Sequence, residues 1–186
     1  GGRSLAVLLA GTAAAGLAAR HFGMTVIATA GRERSAEWCR AMGAHHTIDY
    51  RKGLVEPLKA QGIEQVDAIL LAQEPDAYWS DVCELVAPLG GIVTIVDARG
   101  PLDVNPLKPK SARFAWEFMF TRALFGVDME RQGGILRATA RLVEEGVLQT
   151  TLSESLGPIN AANLKEAHRR IESGKTIGKL VLAGWE

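Results

Sequence analysis

The stretch MTVIATAGRERSAEWCRAMGAHHTIDY, residues 24–50, decides the fold. Thr25, Val26, Ile27 and Ala28 form a short run rich in β-branched side chains, suited to a parallel strand buried on both faces. Ser35 is placed to cap a following helix, and Trp38, Cys39 and Met42 fall near one face of it. Gly43 closes that helix where a left-handed residue is needed, and His46, Thr47 and Ile48 return to extended chain. In a nucleotide-binding sheet built this way, the end of the second strand faces the adenosine ribose. An acid there binds a free 2′-hydroxyl and repels a 2′-phosphate. Thr29, Ala30 and Gly31 hold that place, followed by Arg32 and Arg34. With the acid missing and two guanidinium groups at hand, the pattern points to NADP(H) rather than NAD(H).

The same alternation runs outward through most of the 186 residues. Residues 5–10 read as the first strand and 13–22 as its helix. Residues 54–61 read as a helix, 66–71 (VDAILL) as the fourth strand, and 76–86 as a helix with Val82, Leu85 and Val86 inward. Pro88, Gly90 and Gly91 make a turn into a fifth strand at 92–96. Residues 101–111 are proline-rich and irregular, a connection of the type that lines sites. Residues 113–121 (RFAWEFMFT) alternate aromatic and other side chains and suit an edge strand, with a helix as the alternative. An amphipathic helix at 135–145 is closed by Gly146. These elements predict an α/β fold: a doubly wound parallel sheet of about six strands covered on both faces. Residues 148–186 then repeat strand, helix and strand, with Asn160 as helix cap, and belong to a different structural layer. The expected division is 1–147 for the nucleotide-binding domain and 148–186 for the return segment.

Composition narrows the function classes. The chain is 47% hydrophobic and 23% charged with zero formal net charge, so nothing in it favours nucleic acid. The apolar run at 5–19 is broken by Gly11, Thr12 and Gly16 and is too short to span a bilayer. Cys39 and Cys83 are far apart in helical contexts and read as two buried thiols of a cytoplasmic protein. No cysteine and histidine spacing resembles a zinc site.

The order VIATA, GAHHTIDY, VDAIL, LAPLGGIVTIVD and NPLKPKS resembles the medium-chain dehydrogenase/reductase superfamily, as does the ending LGPINAANLKEAHRRIESGKTIGKLVL. The nearest likeness is to its zinc-type alcohol dehydrogenase-like and quinone oxidoreductase branch. The resemblance implies a Rossmann-type cofactor domain, followed by a segment returning to a GroES-like catalytic domain, which the 186 residues do not include. It leaves open whether they are a piece of a longer chain or a stand-alone relative. It also implies direct hydride transfer between NADP(H) and a small carbonyl, enone or quinone. The protein supplies orientation rather than a nucleophile, and no catalytic residue is assigned in this chain. Family members pair edge strands across a two-fold axis, so a homodimer through 113–121 is expected.

The resemblance and the strand ends together nominate cofactor contacts. Gly11, Thr12 and Gly16 lie in the loop AGTAAAG, where the family carries a run such as GAGGVG. The alanines fit weakened pyrophosphate binding and simple close packing of helix on strand equally well. Thr29, Gly31, Arg32 and Arg34 stand at the ribose, Arg32 being the stronger phosphate candidate. Tyr50 matches a tyrosine that related quinone oxidoreductases place against the 2′-phosphate. Ala72, Gln73, Val96 and Asp97 end the fourth and fifth strands, beside the nicotinamide ribose and ring. His45 and His46 read as surface or packing residues, Tyr78, Trp79, Trp116 and Phe118 as core or interface, and Lys108 and Lys110 as solvated, with anion contact as their alternative. A non-catalytic relative that binds a nucleotide or dimerises is the competing expectation, and a methyltransferase on a similar sheet is a third.

Overall fold

The computed structural model describes residues 4–8 and 12–185. Two compact units divide the chain, residues 1–149 and 150–186. In the first, strands β1 (Ser4–Leu8), β2 (Thr25–Thr29), β3 (His46–Ile48), β4 (Val66–Leu71), β5 (Val86–Thr94) and β6 (Arg113–Trp116) join in the order β3-β2-β1-β4-β5-β6. Every pairing is parallel. The order reverses direction between β1 and β4, so a crevice opens beyond the carboxyl ends of the strands, where folds of this kind bind ligands.

Alternation along the strands feeds two separate packing layers. Val26, Ala28 and Ala30 pack with Ala15, Ala18, Ala36, Cys39 and Ala44, beneath helices α1 (Thr12–Gly16) and α2 (Glu33–Ala41). Ile27 belongs to the other layer, with Ile48, Ile69, Leu71 and Ile92 under α3 (Val55–Lys59) and α4 (Pro75–Leu85). The first layer is nearly all alanine, which lets its helices lie close to the sheet. Fully burying Ile27, Leu54, Leu58, Ile69 and Leu71 in the second contributes roughly 1.5–3 kcal/mol per side chain.

Several local expectations change. Arg32, in extended conformation, is the residue before α2, so Ser35 lies inside the first turn and is not its cap. α1 continues as a π-helical turn, Leu17–His21. The turn expected at Pro88–Gly91 is instead a bulge inside β5. Val86 pairs with Val66 and Gly91 with Ala68, and Leu89 has a φ of 63°. The irregular 101–111 segment holds a 3-10 helix, Asn105–Lys110. The edge strand expected over 113–121 stops at Trp116, and helix α5 (Thr121–Phe125) begins where it was to end. The four rings at 114, 116, 118 and 120 therefore do not share one strand face. Phe114 and Trp116 make an edge contact at 5.6 Å, and Phe118 and Phe120 a second one at 5.4 Å, outside the strand. Helix α6 (Met129–Glu144) starts a turn and a half earlier than expected.

In the second unit, β7 (Leu152–Ser155) and β8 (Lys179–Val181) pair in parallel around α7 (Ala161–Glu172). Asn160 caps α7 as expected, its side chain accepting from Asn163 N at 2.9 Å. Arg170 ties helix to strand, reaching Glu154 at 2.8 Å and Glu166 at 2.7 Å.

Candidate dinucleotide-binding site

The carboxyl end of β2 and the first residues after β3 come together. A Cβ built on Gly31 would stand 2.9 Å from Tyr50 Oη and 3.0 Å from Tyr50 Cε1 and Cζ, so the tyrosine ring lies directly over the glycine. Tyr50 opens a 3-10 turn, Tyr50–Lys52, whose preceding residue Asp49 accepts from Arg51 N at 3.1 Å. Arg51 also grips the Asp49 carboxylate through Nε and Nη2, at 2.9 and 2.7 Å, and these bonds hold that carboxyl at about 2. The Tyr50 ring is braced from α4 by the edge of Tyr78, with centroids 6.5 Å apart.

Arg32 and Arg34 flank this corner, both exposed at the start of α2. Glu33, the acid between them, turns along its helix to Arg40 at 2.6 Å. Thr29 is buried and ends β2. The fold brings Gly31 and Tyr50 into contact beside Arg32 and adds Tyr78, which was expected as core or interface and packs against both the core and the Tyr50 ring.

The glycine loop is described only from Thr12, the first residue of α1, and Gly11 lies outside the described residues. Gly16 faces α2: a Cβ there would meet Met42 O at 3.1 Å. That is the close-approach role of a glycine in helix packing. Its neighbours Ala15 and Ala18 are buried in the same layer.

The second half of the crevice is made by the ends of β4 and β5. Ala72 and Gln73 lead into Glu74, which has a left-handed φ of 43° immediately before α4. Buried Thr94 donates from Oγ1 to Leu71 O at 2.9 Å, side chain to backbone, locking the two strand ends together. Val96 and Asp97 follow. Asp97 opens onto a cavity of about 590 Å³ walled by Leu102, Val104, Phe114 and Trp116. The rings of Trp79, Phe114 and Trp116 contact edge to face in sequence, at 5.1 and 5.6 Å. Trp79 anchors the series with Nε1 donating to Asp103 O at 2.7 Å.

Lys110 is not a solvated lysine. Its Nζ donates to Cys83 O, Glu84 O and Val86 O at 3.0, 2.5 and 2.8 Å, closing the carboxyl end of α4. His45 has a backbone partner, its Nδ1 accepting from Val26 N at 3.0 Å. Cys39 and Cys83 are free, buried thiols whose pKa burial raises. Among the described residues no three His, Cys, Asp or Glu side chains gather to hold a metal ion, and no helix is long and apolar enough to cross a membrane.

Sheet order and crevice define a Rossmann-type fold, and likeness to known proteins makes it the cofactor-binding part of the medium-chain dehydrogenase/reductase superfamily. Residues 42–182 match the model of a family described as zinc-binding dehydrogenase, and the chain belongs to that family. A zinc-type alcohol dehydrogenase-like protein of Staphylococcus aureus strain MSSA476 is 38% identical over 165 residues, covering 88% of this chain and 49% of the relative. A crystal structure provisionally assigned as a zinc-dependent alcohol dehydrogenase of Rhizobium etli CFN 42 superposes with a TM-score of 0.89 at 38% identity. It covers 98% of this chain and 55% of that one. An NAD-dependent alcohol dehydrogenase gives a TM-score of 0.73 at 27% identity, covering 97% of this chain and 51% of that one. The chain spans about half the length of the relatives it matches. The described residues do not fit a zinc site, and no step is assigned to that metal.

Proposed function

We propose that this chain is the cofactor-binding part of an NADP(H)-dependent oxidoreductase of the alcohol dehydrogenase-like and quinone or enone reductase type. The observation that carries it is the ribose corner. Tyr50 lies over Gly31 with Arg32 and Arg34 beside it, and the one acid within that turn is engaged by Arg40. A tyrosine hydroxyl and guanidinium groups around a glycine floor suit a 2′-phosphate better than a ribose diol. A bound nicotinamide would supply the hydride. The chain's part is to orient that ring at the ends of β4 and β5, where Asp97, directly after Val96, lines the aromatic-walled cavity. Small carbonyl, enone or quinone substrates suit such a wall.

Calorimetric titration with NADPH and NADH tests this directly. NADPH binds more tightly, and Arg32→Ala weakens it by about 1–3 kcal/mol while leaving NADH unaffected. Tighter binding of NADH by the unmodified chain refutes the proposal.

The same part is proposed to form a homodimer through residues 113–121 and the chain that follows. β6 is the sheet edge, and Trp116, Phe118, Phe120, Leu124 and Phe125 are all exposed beside it. A terminal strand bordered by exposed apolar side chains favours pairing with a second copy. Phe118→Lys is expected to shift light scattering from dimer to monomer, and a wild-type chain that stays monomeric at high concentration refutes the assembly.

A further inference from the structure

The connection after β5 is fastened to α4 at two points one helical turn apart. Asp76, in the first turn of α4, accepts from Arg99 N through Oδ2 and from Gly100 N through Oδ1, both at 2.9 Å. Trp79 then donates to Asp103 O at 2.7 Å. Residues three apart on a helix share a face. The segment 99–103 is thus laid along one side of α4, and the cavity wall residues Ala98, Gly100 and Leu102 lie within or beside the fastened stretch. Arg99 N is the larger cause, and Gly100 N a further one, of an Asp76 carboxyl pKa below its usual range.

We infer that Asp76 is a positioning residue for the nicotinamide half of the site: it holds the backbone at Arg99 and Gly100 against α4 so that the cavity beside Asp97 keeps its shape. The inference rests on the cofactor role proposed above. The carboxylate uses both oxygens on two consecutive amides, an arrangement that alanine abolishes and asparagine only half reproduces, since its amide offers one acceptor. The ribose corner touches α4 through Tyr78, two residues on and so on another face of the helix, while Gly31, Arg32 and Tyr50 are set by β2 and β3. Loss of Asp76 therefore acts on one half of the dinucleotide.

The test pairs amide hydrogen exchange with two ligands in the unmodified chain, Asp76→Ala and Asp76→Asn. In Asp76→Ala, the Arg99 and Gly100 amides exchange on the order of tenfold faster or more, while the strand amides of β2 are unchanged. NADPH affinity falls on the order of tenfold, and adenosine 2′,5′-bisphosphate, which lacks the nicotinamide half, binds as before. Asp76→Asn lies between, and it carries the test if the alanine variant does not fold. Unaltered exchange at Arg99 and Gly100, or an equal loss for both ligands, overturns the inference. An unmodified chain that binds neither ligand overturns the cofactor proposal instead, and this inference falls with it.

Discussion

Replacing Gly31 by alanine separates stability from cofactor affinity at one atom. The Gly31 backbone lies outside the left-handed region, so alanine is sterically allowed there and removes unfolded-state freedom worth about 0.4–1 kcal/mol. The new Cβ lands 2.9 Å from Tyr50 Oη, and ordinary contact begins at 3.4 Å, so the ring must retreat by roughly half an ångström or more. The obstructing atoms are the far end of a side chain, which swings at small cost, and the two stability effects nearly cancel. The hydroxyl, however, leaves its place. A hydrogen bond to a charged group is worth about 1.5–3 kcal/mol, and every 1.4 kcal/mol is tenfold in Kd. Gly31→Ala is therefore expected to bind NADPH on the order of tenfold more weakly, with a melting temperature close to that of the unmodified chain. Tyr50→Phe should lose a similar amount without any steric change. Calorimetry and a thermal melt on the three proteins decide it. NADPH affinity within twofold of normal in Gly31→Ala refutes the placement of the phosphate under Tyr50.

Two further outcomes concern the fold. Lys110→Met keeps the aliphatic stem but removes the ammonium from the three carbonyls at the end of α4. It should lower stability by about 1–3 kcal/mol in urea unfolding, and an unchanged midpoint would refute the capping role. In the second unit, bonds from Arg169 and then Arg170 hold the Glu166 carboxyl at about 2, against an ordinary value of 4.5. A depressed carboxyl stabilises the fold above pH 4.5, and that contribution is lost as the pH falls from 4.5 toward 2. Glu166→Gln should flatten the acid dependence of α7 amide exchange in that window, and an identical acid limb would contradict it.

The sheet-forming elements were legible because their signal is local. Thr25–Thr29 and Val66–Leu71 are short apolar runs between turn residues, and Gly43, with a φ of 115°, ends its helix as expected. What escaped depends on contacts distant in the chain. Lys110 looks solvated beside its prolines because its three acceptors lie 24 to 27 residues earlier. The partners of Asp76 are 23 and 24 residues later, and no spacing rule announces them. Ser35 misled because α2 starts two residues before it, at Glu33, with Arg32 at the cap position and no side-chain cap bond, so a capping side chain does not mark the start. The ring alternation at 114–120 fits a strand only while a neighbour is present. β5 supplies partners as far as Thr94, paired with Trp116, and the chain turns into α5 soon after. At the site, Gly31 and Arg32 could be nominated from a strand end and Tyr50 from the family resemblance, whereas Tyr78 could be placed only once α4 was folded over Tyr50.

The His45 side chain bears on which sequences this sheet tolerates through descent. His45 N donates to Val26 O at 2.8 Å, and Val26 N donates back to His45 Nδ1 at 3.0 Å. The imidazole thus stands in for a carbonyl and lengthens the β2–β3 ladder by one rung beyond His46. What position 45 requires is a short side chain with an acceptor atom, and the ring itself is incidental. Asparagine, aspartate or serine preserves the rung, while lysine, arginine and leucine, which offer no acceptor, break it. Among descendants of this chain, drift at position 45 should stay within the acceptor-bearing set even though the residue faces solvent.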